Sequence, residues 1–434
     1  MDINRRTAYF TLLEIEKNSA YSNIELNRQI ENSKPSSPAF VRELTYGVLE
    51  NKMLLDYILE KLIPSGLRKV KTSDLVLLRM GIYQIGYMNS VPEYAGVNES
   101  VLLAKKFCKG REGFINGVLR GYIRKKDQIA LPDKETNWTQ YCSIKYSFLP
   151  WIVTLWEESY GREETEKLLE SSNQTPELYI RINLLKTTKQ ELISILETKG
   201  FEIEDKTEYG NRVLKIKGSG LLEGDEYKNG MFSVQDPASV MAAEILGPDQ
   251  GDTVIDVCAA PGGKTLAMSE IMGNKGQILA FDVYEHKLDL INKEAKRLGI
   301  TIIKTGCNDG SIMNSDYIEK ADKVLVDGPC SGLGVIRKKP EIKYKEVDSE
   351  AVNLPQKQLE ILKVSSNYVK EDGIIVYSTC TINPKENEQV VKDFLYNNKN
   401  FILISEKQFL PNRDGTDGFY ICKMKREIGQ KGDK

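Results

Sequence analysis

From about residue 235 the chain alternates short apolar runs with amphipathic segments, and this alternation restricts the fold more than any other feature. The strand candidates are residues 253–257, 277–283, 300–305, 323–327, 374–378 and 419–424. Between them lie helical stretches such as Glu285–Leu298, where Leu288, Ile291, Ala295 and Leu298 share one face at the 3.6-residue period. Strands separated by helices imply βαβ units and a mostly parallel, doubly wound sheet. Such sheets bind ligands just outside the carboxyl ends of their strands. The chemistry is therefore expected at the residues that follow each run.

Those ends carry Asp256, Asp282, Asn308-Asp309, Asp327-Gly328-Pro329-Cys330 and Ser378-Thr379-Cys380-Thr381. After Asp256 comes Cys258-Ala259-Ala260-Pro261-Gly262-Gly263-Lys264-Thr265, which ends like a phosphate-binding loop but has cysteine where the first glycine belongs. A side chain at that position obstructs the backbone cradle that wraps a triphosphate. Asp282, at the end of the second strand, stands where nucleoside-binding α/β folds place a carboxylate against ribose hydroxyls. A ribose without phosphates fits both facts, and S-adenosylmethionine is the common cofactor of that kind. Taken singly each feature is weak, because turns need glycine anyway and aspartate often only caps a helix. Four acidic strand ends and two cysteines together are harder to dismiss.

Upstream the pattern is helical. Leu75, Leu78, Ile82 and Ile85 recur at steps of three and four, as do Val41, Leu44 and Val48, so residues 1–140 are expected to form an all-helical bundle. Residues 127–150 turn polar and proline-containing, as a linker would. Residues 150–230 mix two alternating runs with a helix, a small α/β module. The sheet domain spans 235–428, and 429–434 is a polar tail. The net charge of −2 conceals an asymmetry, since residues 1–145 hold 22 Lys/Arg against 16 Asp/Glu. Arg120, Arg124 and Lys125 belong to a basic cluster that suits a phosphate backbone, although a solvated helix face reads the same.

No apolar run approaches the roughly 18–20 residues of a membrane span, so a cytoplasmic, non-membrane protein is expected. The seven cysteines are scattered without a CxxC pair, which argues against disulfides and a metal site. Cys108, Cys142, Cys307 and Cys422 read as small buried hydrophobes. The sole histidine, His286, reads as surface, which disfavours Cys–His or Ser–His–Asp hydrolysis.

Cys330 and Cys380 suit a different chemistry. A thiolate that adds to carbon 6 of a pyrimidine makes carbon 5 nucleophilic enough to accept a methyl group. The loop 258–265, Asp327–Gly334, Tyr377–Thr381, Asn383–Glu388, Gln235–Ser239 and Asp417–Tyr420 together resemble the RNA cytosine-5 methyltransferase family, and Phe114–Arg120 with Val41–Glu50 resembles the NusB-type RNA-binding domain. The resemblance covers nearly the whole chain. It implies Cys380 as the nucleophile, Cys330 as the residue that assists elimination, and Asp327 at the cytosine edge and near the methyl donor. It also implies that Cys258, Ala259, Ala260, Pro261, Gly262, Gly263, Lys264, Asp282 and Asp309 hold S-adenosyl-L-methionine, with no metal. Arg120, Arg124, Lys125, Arg337 and Lys338 would meet RNA. The substrate it implies is 16S ribosomal RNA, at cytosine 967, naked or in a partial 30S particle, acted on by a monomer. DNA-type enzymes use the Pro-Cys cysteine instead, which here would be Cys330. A methyltransferase acting on another RNA such as tRNA, an assembly factor that binds RNA without chemistry, and a nucleotide hydrolase are the competing readings.

Overall fold

The computed structural model describes residues 2–18, 21–205, 207–346 and 349–428. It divides into two compact units, residues 1–174 with 336–346 and residues 175–335 with 347–434. The expected tail at 429–434 lies outside the described residues.

The first unit is helical: α1 (Ile3–Asn18), α2 (Ser22–Ser33), α3 (Pro38–Glu50), α4 (Lys52–Leu62), α5 (Thr72–Tyr87), α6 (Glu93–Phe107), α7 (Glu112–Lys125), α8 (Trp138–Tyr146), α9 (Pro150–Tyr160) and α10 (Arg162–Ser171). Its core gathers Leu12, Leu44, Leu59, Leu77, Leu78, Ile82, Ile115 and Leu119, all fully buried or nearly so. The periodic residues read from the sequence supply that core, because one apolar stripe per helix must find a partner. The stretch expected as a linker instead contains α8, which buries Trp138, Cys142 and Ile144. Its polar flanks hide a short apolar face.

Residues 336–346 also belong to this unit, a placement the sequence does not announce. Lys343 is fully buried, and its Nζ donates to the carbonyls of Glu50 (2.7 Å) and Tyr146 (3.1 Å) and to Asn173 Oδ1 (2.7 Å). The Tyr344 hydroxyl donates to the Leu49 carbonyl, and Ser22 Oγ donates to Glu341. Burial pushes the Lys343 ammonium down to about 7, against the attraction of Glu50. Lys343→Met leaves three buried acceptors without a donor, a loss of roughly 3 kcal/mol in chemical denaturation. Between pH 7 and the ordinary lysine range near 10.5 the unfolded chain binds more protons than the folded one. This side chain therefore makes stability rise with pH across that window, and the methionine variant loses the slope.

The second unit opens with a four-stranded antiparallel sheet of β1 (Leu178–Ile182), β2 (Glu202–Asp205), β3 (Val213–Lys217) and β4 (Phe232–Val234), in the order β2-β3-β1-β4. Helix α11 (Lys189–Thr198) starts on a reciprocal capping box between Thr188 and Glu191. The short α12 (Asp225–Lys228) precedes β4.

The larger sheet holds β5 (Thr253–Asp256), β6 (Gln277–Asp282), β7 (Ile303–Cys307), β8 (Ala321–Asp327), β9 (Val369–Thr379), β10 (Phe401–Phe409) and β11 (Phe419–Arg426), in the order β10-β11-β9-β8-β5-β6-β7. Strands β5 to β9 pair in parallel; β11 alone runs the other way, antiparallel to both β9 and β10. Helices α13 (Pro237–Leu246), α14 (Gly263–Ile271), α15 (Glu285–Leu298), α16 (Ser349–Ser366), α17 (Glu388–Asn397) and the short α18 (Pro411–Asp414) complete it. The mostly parallel, doubly wound sheet expected from the alternation is thus present, with β11 as its antiparallel member. Its order reverses at β5, between β6 and β8, and doubly wound sheets bind their ligands at the carboxyl ends of the strands at such a switch point.

Candidate active site

The turn after β5 is built for close approach. Gly262 sits at φ +104°, a left-handed conformation that L side chains rarely adopt, and an added Cβ would press on Ile291 at 3.0 Å. Helix α14 starts at the next residue. Behind the turn, Arg181 from β1 spans to it: Nη1 donates to the Gly263 carbonyl (2.9 Å) and to Gln235, while Nε and Nη2 grip the Glu270 carboxylate of α14. Both charges of that pair are only 1% exposed. The sequence reading did not single out Arg181; its sole signal is a charge inside the alternating run Leu-Tyr-Ile-Arg-Ile.

The four acidic strand ends converge on this turn. Burial first, then Asp256, Asp327, Asp282 and Asp309, all raise the Cys258 thiol, which stays protonated. Cys258 is therefore a neutral lining group. Burial pushes Asp256 up to about 7, although the Thr265 hydroxyl donates to its Oδ2 at 2.6 Å; its Oδ1 is buried without a partner. Asp282 accepts from the backbone N–H of Ala260 (3.3 Å) and of Tyr284 (3.0 Å). Asp309 is held by its own loop, through Ser311 N (2.9 Å) and Oγ (2.7 Å), and these bonds lower its pKa. Val283, Tyr284, Ile312 and Met313 are exposed apolar side chains beside these two acids.

Lys264 turns to Asp327, Nζ to Oδ2 at 2.6 Å, and the Ser378 hydroxyl donates to Asp327 Oδ1 at 2.8 Å. Burial works against the Lys264 ammonium, but Asp327 and then Cys380 outweigh it and raise its pKa. Its ammonium also lies 4.9 Å from the centre of the Phe419 ring. The sequence placed Lys264 in the cofactor loop; the structure also brings it within electrostatic reach of Cys380. The two sulfurs, Cys330 Sγ and Cys380 Sγ, are 3.1 Å apart. The hydrogen bond to Cys380, followed by burial and by the charges of Glu386 and Asp327, raises the Cys330 thiol far above its usual range. The negative charges and burial around Cys330 thus disfavour its thiolate.

Two glycines let the loops meet. Gly334 N donates to the Cys380 carbonyl (3.0 Å) and Gly418 N to the Gly334 carbonyl (2.9 Å), and a Cβ on Gly334 would collide with the Gly418 backbone. Asp236 caps α13 through Ala238 N and accepts from Asp417 N, so the motifs at 235–239 and 417–420 brace one another, and the second also brings Phe419 against Lys264.

The remaining candidates lie in the helical unit. Arg120, Arg124 and Lys125 are exposed on or at the end of α7, Arg120 bonded to Asn116. Arg337 and Lys338 are half-buried in the 336–346 segment. Cys108, Cys142 and Cys422 are buried as expected, but Cys307 is exposed, because it ends the edge strand β7, and its thiol reaches the Val283 carbonyl. His286 is at the surface. Among the described residues no group of His, Cys, Asp and Glu could hold a metal, and no helix is long and apolar enough to cross a membrane.

Three family models match in the order of the fold: the NusB family at residues 2–124, an RsmF/B-like ferredoxin-like domain at 150–220, and the 16S rRNA methyltransferase RsmB/F at 243–425. The probable ribosomal RNA small subunit methyltransferase B of Bacillus subtilis (strain 168) is 36% identical over 447 residues, covering 98% of each chain. The crystal structure of PH0851 superposes with a TM-score of 0.80 at 26% identity, over 98% of both chains. NSun6 from Pyrococcus horikoshii, solved with SFG, shares the fold at a TM-score of 0.59 and 22% identity, over 64% of this chain and 97% of that one. Matched from end to end and domain by domain, the chain belongs to the ribosomal RNA small subunit methyltransferase B family.

Proposed function

We propose that the protein transfers a methyl group from S-adenosyl-L-methionine to carbon 5 of a cytosine in 16S ribosomal RNA, cytosine 967 by the family resemblance, through a covalent bond between Cys380 and carbon 6. The observation that carries this reading is the 3.1 Å approach of the two sulfurs beside the Lys264–Asp327 pair, at the carboxyl ends of β8 and β9. The site suits the cofactor by charge. Asp282, Asp309 and Asp327 stand there beside the half-protonated Asp256, and Lys264 is already paired with one of them, so a triphosphate would be repelled while a sulfonium and an ammonium would be attracted. Asp256 Oδ1 offers an unused buried acceptor, the bare Gly262 backbone admits the methionine part, and Asp282 and Asp309 stand where ribose hydroxyls would be bound. Kinship of fold with a protein solved with SFG, a relative of the cofactor, supports the same choice. When bound, the cofactor supplies an electrophilic methyl group.

The chain's own residues do the rest. Lys264 stabilises negative charge on the Cys380 sulfur, and Asp327 holds Lys264 and presents its carboxylate to the cytosine edge. The Cys380 thiolate adds to carbon 6, and carbon 5 gains the electron pair that takes the methyl. Elimination then breaks the C5–H and C6–S bonds. Cys330 hands its proton to the departing Cys380 sulfur and takes the carbon 5 proton in exchange, so the double bond returns and both thiols are restored. An assembly factor without chemistry has no use for this pair of thiols.

Methyl transfer from labelled cofactor to 16S RNA transcribed without modifications, followed by bisulfite mapping, tests the reading. Label on a single cytosine supports it; label on tRNA alone, or none, overturns it. Contacts of Arg120, Arg124 and Lys125 with phosphates predict RNA binding that weakens on the order of tenfold between roughly 50 and 200 mM salt. Replacing all three with alanine flattens the plot of log affinity against log salt by about two units of slope, and an unchanged slope removes them from the interface.

A further inference from the structure

The turn that carries Cys330 is held on both sides by two buried side chains that no step above uses. Glu386, 1% exposed, accepts from Ser331 N (2.8 Å) and Gln358 Nε2 (3.1 Å) through one oxygen and from Asn383 Nδ2 (2.9 Å) through the other. Its own carbonyl accepts from the Tyr377 hydroxyl at 2.6 Å, which fixes the residue in place. Gln358, fully buried on α16, also donates Nε2 to the Pro329 carbonyl at 2.8 Å. The peptide groups before and after Cys330 are therefore each bound by a side chain. A third link, Ser331 Oγ to Thr381 Oγ1 at 2.7 Å, ties this turn to the turn of Cys380.

The chemistry of these groups is more costly than packing requires. A buried carboxylate gives up far more hydration than a neutral side chain of similar size would. Gln358 Oε1 is buried with no partner, and rotating the amide would aim that oxygen at the Pro329 carbonyl and the Glu386 carboxylate. The amide is thus kept for its donor end alone. A negative charge beside a thiol also disfavours its ionisation, and Glu386 is one of the groups that keep Cys330 protonated.

We propose that Glu386 and Gln358 are positioning residues for Cys330, holding its thiol against the Cys380 sulfur so that the covalent RNA intermediate is resolved rather than trapped. The inference rests on the cysteine roles given above. Addition and methyl transfer need Cys380, Lys264 and Asp327 and do not pass through this clamp. Its loss therefore slows elimination selectively.

The test is a single-turnover reaction of the full-length chain with unmodified 16S RNA and labelled cofactor, quenched in denaturant to count protein bound to RNA. Glu386→Ala and Gln358→Met raise the trapped fraction at least about tenfold over wild type, with methyl label in the adduct, while multiple turnover falls by about as much. Glu386→Gln, which keeps an acceptor for Ser331 and Gln358, returns the trapped fraction to within about threefold of wild type; a merely structural lesion would show no such partition. Cys330→Ala is run beside them. If it traps RNA and the clamp variants do not, the positioning inference fails and the cysteine roles stand. If Cys330→Ala also fails to trap RNA, the underlying reading fails. Should Glu386→Ala lack a folding transition, Gln358→Met decides alone.

Discussion

Cys380→Ala abolishes methyl transfer, lowering the single-turnover rate by on the order of 10⁴-fold or more, about 5.5 kcal/mol in barrier height. The expected loss is that large because carbon 5 of cytosine is not nucleophilic until a thiolate has added to carbon 6, so without the sulfur no alternative route of comparable barrier exists. Cys330 does not substitute. Its thiol is raised far above its usual range by the hydrogen bond to Cys380, burial, Glu386 and Asp327, whereas Lys264 attracts negative charge on Cys380. Fold and cofactor binding should survive, since Cys380 is half-buried and its backbone carbonyl, which accepts from Gly334, is unaffected by the substitution. Equilibrium binding of S-adenosylhomocysteine, unchanged within about threefold, separates loss of chemistry from loss of structure.

Cys330→Ala has a large but opposite signature. Addition and methyl transfer proceed, the adduct cannot be resolved, and protein accumulates covalently on RNA to nearly one equivalent, while turnover falls by at least about 10³-fold. The proton carried across the 3.1 Å between the sulfurs has lost its carrier. A denaturing gel checks this directly. In the DNA-type assignment, with Cys330 as nucleophile, the same variant would give no adduct at all. The two cysteines are thus distinguished by the sign of one measurement.

How much of this was legible in the sequence follows the physics of each element. The inner strands of the parallel sheet, β5, β6 and β8, are largely buried and so read as apolar runs. Strand β10, Phe401–Phe409, was passed over; Ile402 to Lys407 are exposed along this edge, and no apolar face marks it. The acids and cysteines were legible because a doubly wound sheet sends every strand end to the same crevice. Their pairing was not. Lys264 and Asp327 are 63 residues apart, and nothing local shows that the lysine of a phosphate-loop look-alike binds an aspartate instead. The segment Arg337-Lys338-Lys339 reads as a basic surface, yet the next lysine along, Lys343, is among the most deeply buried side chains of the helical unit. Such a placement depends on three acceptors from distant helices, which no periodicity encodes. Gln358 and Glu386 were likewise invisible as a clamp, since their value lies in the turn between them.

The central claim is that Cys380, and not Cys330, bonds to the RNA. Wild-type protein incubated with cofactor and 16S RNA carrying 5-fluorocytosine at the target gives an adduct that cannot lose its carbon 5 substituent as a proton. Protease digestion and mass spectrometry then locate the nucleotide. A methylated nucleotide is expected on the peptide containing Cys380; a nucleotide on the peptide containing Cys330, or no protein–RNA bond, would rule Cys380 out as the nucleophile.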